Sequence, residues 1–134
     1  MKIPSSELIL NPDGSIYHLN LKPENIADTI ITVGDQDRVE KVTAFFDEII
    51  FSTQKREFKT QTGFYKGKKL TVISTGIGID NIDIVMNELD ALVNIDLEKR
   101  EIKDKLTSLN FIRIGTSGGI QPEVPLDHFV MGKA

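Results

Sequence analysis

Apolar and polar positions along the chain fall into two periods, one of strands and one of helices. Thr29-Ile30-Ile31-Thr32-Val33 is an uncharged, β-branched run that reads as a buried strand and passes directly into Gly34-Asp35-Gln36-Asp37-Arg38-Val39. Asp35 is a candidate N-cap there, with Val39, Val42 and Phe46 recurring on one helical face. Glu48–Gln54 and Glu57–Tyr65 read as antiparallel strands, the second alternating Phe58, Thr60, Thr62 and Phe64. A hairpin turn at Lys66-Gly67-Lys68-Lys69 leads to the strand Leu70–Ser74. After Thr75-Gly76-Ile77-Gly78, Asp80 is expected to cap a helix with an apolar stripe of Ile82, Val85, Met86, Leu89 and Val93. Residues 94–108 are polar and of mixed charge, which predicts a solvated loop or a short exposed helix. Phe111-Ile112-Arg113-Ile114 is predicted as a buried strand, Gln121-Pro122-Glu123-Val124-Pro125 as a bend, and His128-Phe129-Val130-Met131 as the start of another strand. Residues 1–28 read as an irregular lead-in, with turns at Asn11–Gly14 and Lys22–Asn25 around the short apolar piece Ile16-Tyr17-His18-Leu19. Together these elements predict an α/β fold: a central mixed sheet flanked by helices.

A length of 134 residues suits one domain with one core. The net charge of −4 leaves no basic surplus for general binding to nucleic acid or to an acidic membrane surface. The absence of cysteine excludes disulfides, thiolate zinc sites and a cysteine nucleophile, and it suits a reducing compartment. No stretch approaches a membrane span, so the expectation is a soluble, cytoplasmic protein with neither a nucleic-acid nor a membrane partner.

The basic residues that matter must therefore act locally, and three arginines are candidates. Arg113 interrupts an apolar strand just before Gly115-Thr116-Ser117-Gly118-Gly119, a turn whose backbone N–H groups and hydroxyls could approach a ligand closely. A strand-edge arginine before a glycine-rich loop explains the same residues equally well. Arg38 lies one turn into the first helix, beyond a strand–glycine–helix junction that aims free N–H groups forward; an ordinary surface arginine is the alternative. Arg56 sits in a turn with no acid at helical spacing, and a solvated turn residue is its plain reading. If all three converge, they surround a phosphate-sized anion with planar donor forks. Gly76, Gly78 and Asn81 lack the third glycine of a dinucleotide loop, and no P-loop, Gly-x-Ser-x-Gly elbow or paired-histidine metal site is present. His18, taken alone, is a half-buried surface histidine.

The succession Val33-Gly34-Asp35-Gln36-Asp37-Arg38-Val39, Arg56-Glu57-Phe58, Ser74-Thr75-Gly76-Ile77-Gly78 and Arg113-Ile114-Gly115-Thr116-Ser117-Gly118-Gly119 resembles the nucleoside phosphorylase superfamily, most closely its uridine phosphorylase branch. The resemblance runs from about His18 onward, with four linked motifs in order. It implies that residues 1–134 are the N-terminal portion of a single, apparently truncated phosphorylase domain of roughly double the length. It implies that Gly34, Arg38, Arg113 and Thr116 hold phosphate, with Thr116 also touching ribose. Arg56 would reach the phosphate of a neighbouring subunit, and His18 would cross the same dimer interface to the ribose 5′-hydroxyl. Ser117 and Gly118 would lie beside the base. Glu57 matches a glutamate that in some members binds a monovalent cation such as potassium, with Ile77 supplying a carbonyl; the serine that completes that site is Asn81 here. A second departure is Gln36, where Gly-Asp-Pro is usual.

The implied activity is phosphorolysis of a nucleoside, uridine above others, to base and ribose 1-phosphate. It needs no cofactor beyond inorganic phosphate as co-substrate and works in a homodimer or a hexamer built of dimers. Because the base-reading residues of the family lie beyond this stretch, the 134-residue chain alone is expected to turn over weakly or not at all. A nucleosidase of the same fold and a non-catalytic fragment are the competing expectations.

Overall fold

The computed structural model describes residues 2–132. Five strands make one sheet: β1 (Thr29–Val33), β2 (Glu48–Lys55), β3 (Phe58–Tyr65), β4 (Lys68–Ser74) and, after a short separate pair β5 (Ile95–Asp96) and β6 (Glu101–Ile102), β7 (Asn110–Arg113). Their spatial order is β2-β3-β4-β1-β7. β1 lies parallel to both β4 and β7, in registers that put Thr32 beside Ile73 and Arg113. β2, β3 and β4 form an antiparallel meander. The expected mixed sheet flanked by helices is what the chain forms.

Two tight turns build the meander. Lys66 and Gly67 both take positive φ, 49° and 76°, which matches the right-handed twist of the strands they join. Arg56, at φ 55°, and Glu57 connect Lys55 to Phe58. Within β3, Gly63 is required by packing, since a Cβ there would lie 2.1 Å from the Glu48 carbonyl oxygen, next to a register shift between Ile49 and Phe51.

The alternation of β1 sorts its side chains onto two faces. Ile31 and Val33 pack with Val72 against Val39 of α1 (Gln36–Thr43), with Val42 and Phe46 at the margin. Ile30 faces the other way, with Phe58 and Ile73, against Val85, Leu89 and Leu92 of α2 (Ile79–Asn94). Each of these fully buried side chains contributes about 1.5–3 kcal/mol relative to exposure.

Several expectations need correcting. The lead-in is irregular, as expected, yet Leu8, Ile16, Leu19, Leu21 and Ile26 are buried in the α2-side core, so it is a structural layer of the fold. Its turn is fixed by Asp13, whose carboxylate accepts from the Ser15 hydroxyl (2.7 Å) and N–H (3.0 Å); these bonds hold the Asp13 carboxyl below its ordinary pKa. Asp80 does not cap α2: Gly78 does, at φ 116°, and Asp80 sits in the first turn, where its charge complements the helix dipole. Residues 94–108 hold the β5–β6 pair in place of a plain loop or helix. The Phe111 strand forms but is not buried: β7 is the sheet edge, and Phe111 and Ile112 are 42% and 50% exposed. His128–Met131 forms no strand, because no described strand lies alongside to take its hydrogen bonds.

Candidate functional site

Parallel pairing sets the location of the site. The carboxyl ends of β1, β4 and β7 lie at one end of the sheet, where ligands of open α/β sheets bind. Because β3 runs antiparallel to β4, the Arg56–Glu57 turn is delivered to that same end, and the Ser74 hydroxyl donates to the Glu57 carbonyl at 2.6 Å. The strand ends are tied together through β1. Thr75 N–H donates to the Val33 carbonyl at 2.8 Å, and Ile114 N–H donates to the Thr32 carbonyl at 2.9 Å.

Between these ends opens a cleft of about 840 Å³ lined by Gly34, Arg38, Glu57, Ile77, Arg113 and Thr116, with Asp35, Gln36, Asp37 and Gly76 completing its wall. Four of the residues expected to hold phosphate, Gly34, Arg38, Arg113 and Thr116, thus meet in one place. Arg113 is tied to the strand ends by its own hydrogen bonds. Its Nη1 donates to the Ile114 carbonyl (2.8 Å) and the Thr32 carbonyl (3.4 Å). Its Nη2 lies 3.3 Å from where a Cβ on Gly34 would stand, and a Cβ on Gly115 would lie 3.7 Å from the guanidinium carbon. Gly34 therefore leaves the guanidinium its slot, with Nη2 and Nε left to donate.

The first turn of α1 adds to the site. Asp35 caps it by accepting from Asp37 N–H at 3.0 Å, so one carboxylate on the wall is already engaged. Gln36 links the turn to the neighbouring hairpin: its Nε2 donates to the Arg56 carbonyl at 2.9 Å, and its Oε1 accepts from Gln54 Nε2 at 2.8 Å. The two arginines share the cleft wall with Asp35, Asp37 and Glu57, so any anion affinity arises from geometry close to Arg113 and Arg38 and not from a general positive field.

Arg56 is exposed on its turn beside the cleft and does not line it. Ser117 and Gly118 are exposed beyond Thr116. Glu57, Ile77 and Asn81 do cluster around Gly76, whose positive φ of 67° and tight surroundings (Asn81 Nδ2 at 2.8 Å and Glu57 Cγ at 3.0 Å from a Cβ position) admit no side chain. The Ile77 carbonyl there accepts from Asn81 Nδ2 at 3.3 Å. Among the described residues, no group of three His, Cys, Asp or Glu side chains could hold a metal ion.

His18 lies away from the cleft, over the middle of α2, and there the structure shows a residue that sequence reasoning missed. Glu88 accepts from His18 Nδ1 at 2.6 Å and from the backbone N–H groups of His18 (3.0 Å) and Leu19 (2.8 Å). The available signal was position: Glu88 follows Val85 and precedes Leu89 and Leu92 on the side of α2 that faces the core, where a carboxylate needs partners. A second hollow, about 640 Å³, lies between the lead-in and the β5–β6 pair. Its Arg100 and Lys103 are spent on the backbone carbonyls of Ile3, Pro4 and Val93.

The fold and the cleft define an α/β protein with an open cleft at the carboxyl ends of parallel strands, beside a helix N-terminus and two arginines. The chain belongs to the phosphorylase superfamily, whose family model matches residues 28–134. It is 34% identical over 133 residues to the uridine phosphorylase of Thermococcus kodakarensis, covering 99% of this chain and 43% of that protein. It is 35% identical over 118 residues to the DeoD-type purine nucleoside phosphorylase of Listeria welshimeri, covering 87% and 45% respectively. Among solved structures, a Trypanosoma brucei nucleoside phosphorylase with uridine phosphorylase activity superposes with a TM-score of 0.79 at 39% identity, over 88% of this chain and 41% of that one. The chain thus spans under half the length of the relatives it matches. Identity to a uridine enzyme and to a purine enzyme is nearly equal, so overall similarity does not select the base.

No described helix is long and apolar enough to cross a membrane.

Proposed function

We propose that this chain provides the phosphate subsite and part of the ribose subsite of a nucleoside phosphorylase acting on uridine in the cytoplasm. The observation that carries the reading is the convergence of Gly34, Arg38, Arg113 and Thr116 on one cleft at the ends of parallel strands. Arg113 and Arg38 would grip the phosphate through charge-assisted hydrogen bonds, with backbone N–H groups near Gly34 filling the remaining directions. Thr116 would bridge phosphate and ribose, and Ser117 and Gly118 would border the base. Arg56, presented on an exposed turn at the same sheet end, and His18, with its ring at the surface, would serve the site of a second copy in a dimer or in a hexamer of dimers.

The chemistry follows from the held charge. A phosphate oxygen attacks the anomeric carbon while the glycosidic bond breaks, and its electron pair leaves with the base. The sugar passes through an oxocarbenium-like transition state that the adjacent dianion stabilises, and the fixed geometry supplies much of the rate. Inorganic phosphate is the co-substrate, and no cation is given a role. Preference for uridine over purine nucleosides is supported by the Arg56-Glu57-Phe58 and Arg113-Ile114-Gly115-Thr116 wording.

Calorimetric titration tests this reading. Inorganic phosphate is expected to bind the chain, and uridine to bind more tightly once phosphate is present. Arg113→Ala should weaken phosphate binding by about 10- to 150-fold, the span of one charge-assisted hydrogen bond. Phosphate binding that survives Arg113→Ala and Arg38→Ala together would refute the assignment.

A further inference from the structure

We propose that Glu88 is a positioning residue: it fixes the His18 ring so that Nε2 is the atom offered to a sugar hydroxyl of the nucleoside. The inference rests on the reading above, in which His18 serves the ribose subsite of a second copy.

The argument begins with a carboxylate in an unusual place. Glu88 is on the core-facing side of α2 and its side chain is only 13% exposed. A carboxylate in such a position must be satisfied by donors. All of its donors come from two consecutive residues about seventy positions earlier in the chain. Oε1 takes His18 Nδ1 (2.6 Å) and His18 N–H (3.0 Å), while Oε2 takes Leu19 N–H (2.8 Å). No described lysine or arginine pairs with Glu88.

Anchoring the lead-in requires only the two backbone bonds. The third bond does something else, because it spends Nδ1 and thereby settles which ring nitrogen faces outward. In the neutral ring, Nδ1–H donates to Glu88 and Nε2 presents a lone pair, the correct partner for a hydroxyl proton. The ring is also held from the side. Tyr17 meets it edge to face, with centroids 4.8 Å apart and planes at 82°. Tyr17 is in turn covered by Lys55, whose Nζ lies 4.4 Å from the ring centroid and also donates to the Tyr17 carbonyl and, at 3.0 Å, to Asn11 Oδ1. The His18 side chain nevertheless stays 26% exposed, so the free nitrogen is reachable. Fixed orientation, a fixed tautomer and an open Nε2 make a preorganised hydrogen-bond acceptor.

The test reads the ring directly. The chain has two histidines, so a His128→Gln background leaves His18 as the single imidazole signal. Ring ¹⁵N shifts at neutral pH are expected to show the Nδ1–H tautomer, and Glu88→Gln, which cannot accept at both of its terminal atoms, is expected to shift the population toward Nε2–H. A wild-type ring in the Nε2–H form overturns the proposal even if the variant fails to fold. Unchanged shifts in a folded Glu88→Gln protein overturn it too. The binding arm uses uridine in the presence of phosphate. Glu88→Gln should weaken uridine by about 2- to 12-fold with phosphate affinity unchanged, and adding His18→Ala should cost no more. Additive losses in the double variant would make Glu88 a structural residue only. If the wild-type chain binds no phosphate, the phosphorylase reading fails while the ¹⁵N result still decides the role of Glu88.

Discussion

Gly34→Ala separates two effects that ordinarily move together. Gly34 has no left-handed φ, so alanine fits its backbone, and removing a glycine from the unfolded ensemble should stabilise the chain by about 0.4–1 kcal/mol. For a domain of this size that raises Tm by about 1–4 °C. The new Cβ, however, would stand 3.3 Å from Arg113 Nη2, tighter than an ordinary contact. The guanidinium cannot retreat freely, because Nη1 is held by the Ile114 carbonyl at 2.8 Å and the Thr32 carbonyl at 3.4 Å. A displacement of a few tenths of an ångström misaligns Nη2 toward a bound phosphate. Complete loss of that charge-assisted bond would cost about 1.5–3 kcal/mol, and misalignment forfeits part of it, so the expected weakening is about tenfold. Paired measurements check this: a thermal melt, and calorimetric titration with inorganic phosphate at low ionic strength. The expected signature is a higher Tm with weaker binding. Unchanged phosphate affinity would refute the claim that Gly34 shapes the slot for Arg113, and a fall in both quantities would refute the compatibility of alanine with the backbone.

Three other substitutions probe the frame. Gly63→Ala would press a Cβ to 2.1 Å from the Glu48 carbonyl and 2.8 Å from Phe46 Cδ2, and should cost about 1–3 kcal/mol by denaturant melting. Thr60→Val should gain about 1 kcal/mol in the same assay, since the Thr60 hydroxyl is fully buried without a partner. Gln36→Pro puts proline at the first position of α1, where it is favoured, so global stability should change little; hydrogen exchange at Arg56 and Glu57 should nonetheless accelerate, because the 2.9 Å bond to the Arg56 carbonyl is lost.

Much of the fold was legible because it is written in local patterns. The β-branched run at 29–33, the alternation in β3 and the turn at Lys66-Gly67 each report their own conformation. So were Gly34, Arg38, Arg113 and Thr116, whose grouping follows once the strands run parallel. What was not legible depends on distant partners. The lead-in has no periodicity, so nothing local says that Leu19 and Leu21 are buried under α2. Arg113 was read as a buried charge because its neighbours are apolar, yet edge placement, a property of sheet order, leaves the strand exposed. Asp80 looked like a cap by residue type, whereas the helix is capped two residues earlier, at Gly78. Glu88 was hidden by the stripe it interrupts, and its meaning appears only with His18 beside it.

The order of strands in the sheet has a kinetic consequence. β2, β3 and β4 are joined by two-residue turns and can zip up early, whereas β7 must find β1 across the length of the intervening chain, Asn110 opposite Thr29. Arg113 and Thr116 travel with that last strand. The cleft is therefore the final thing the protein assembles, and under the proposed function phosphate, by binding only the finished sheet, would act as a latch on its slowest seam.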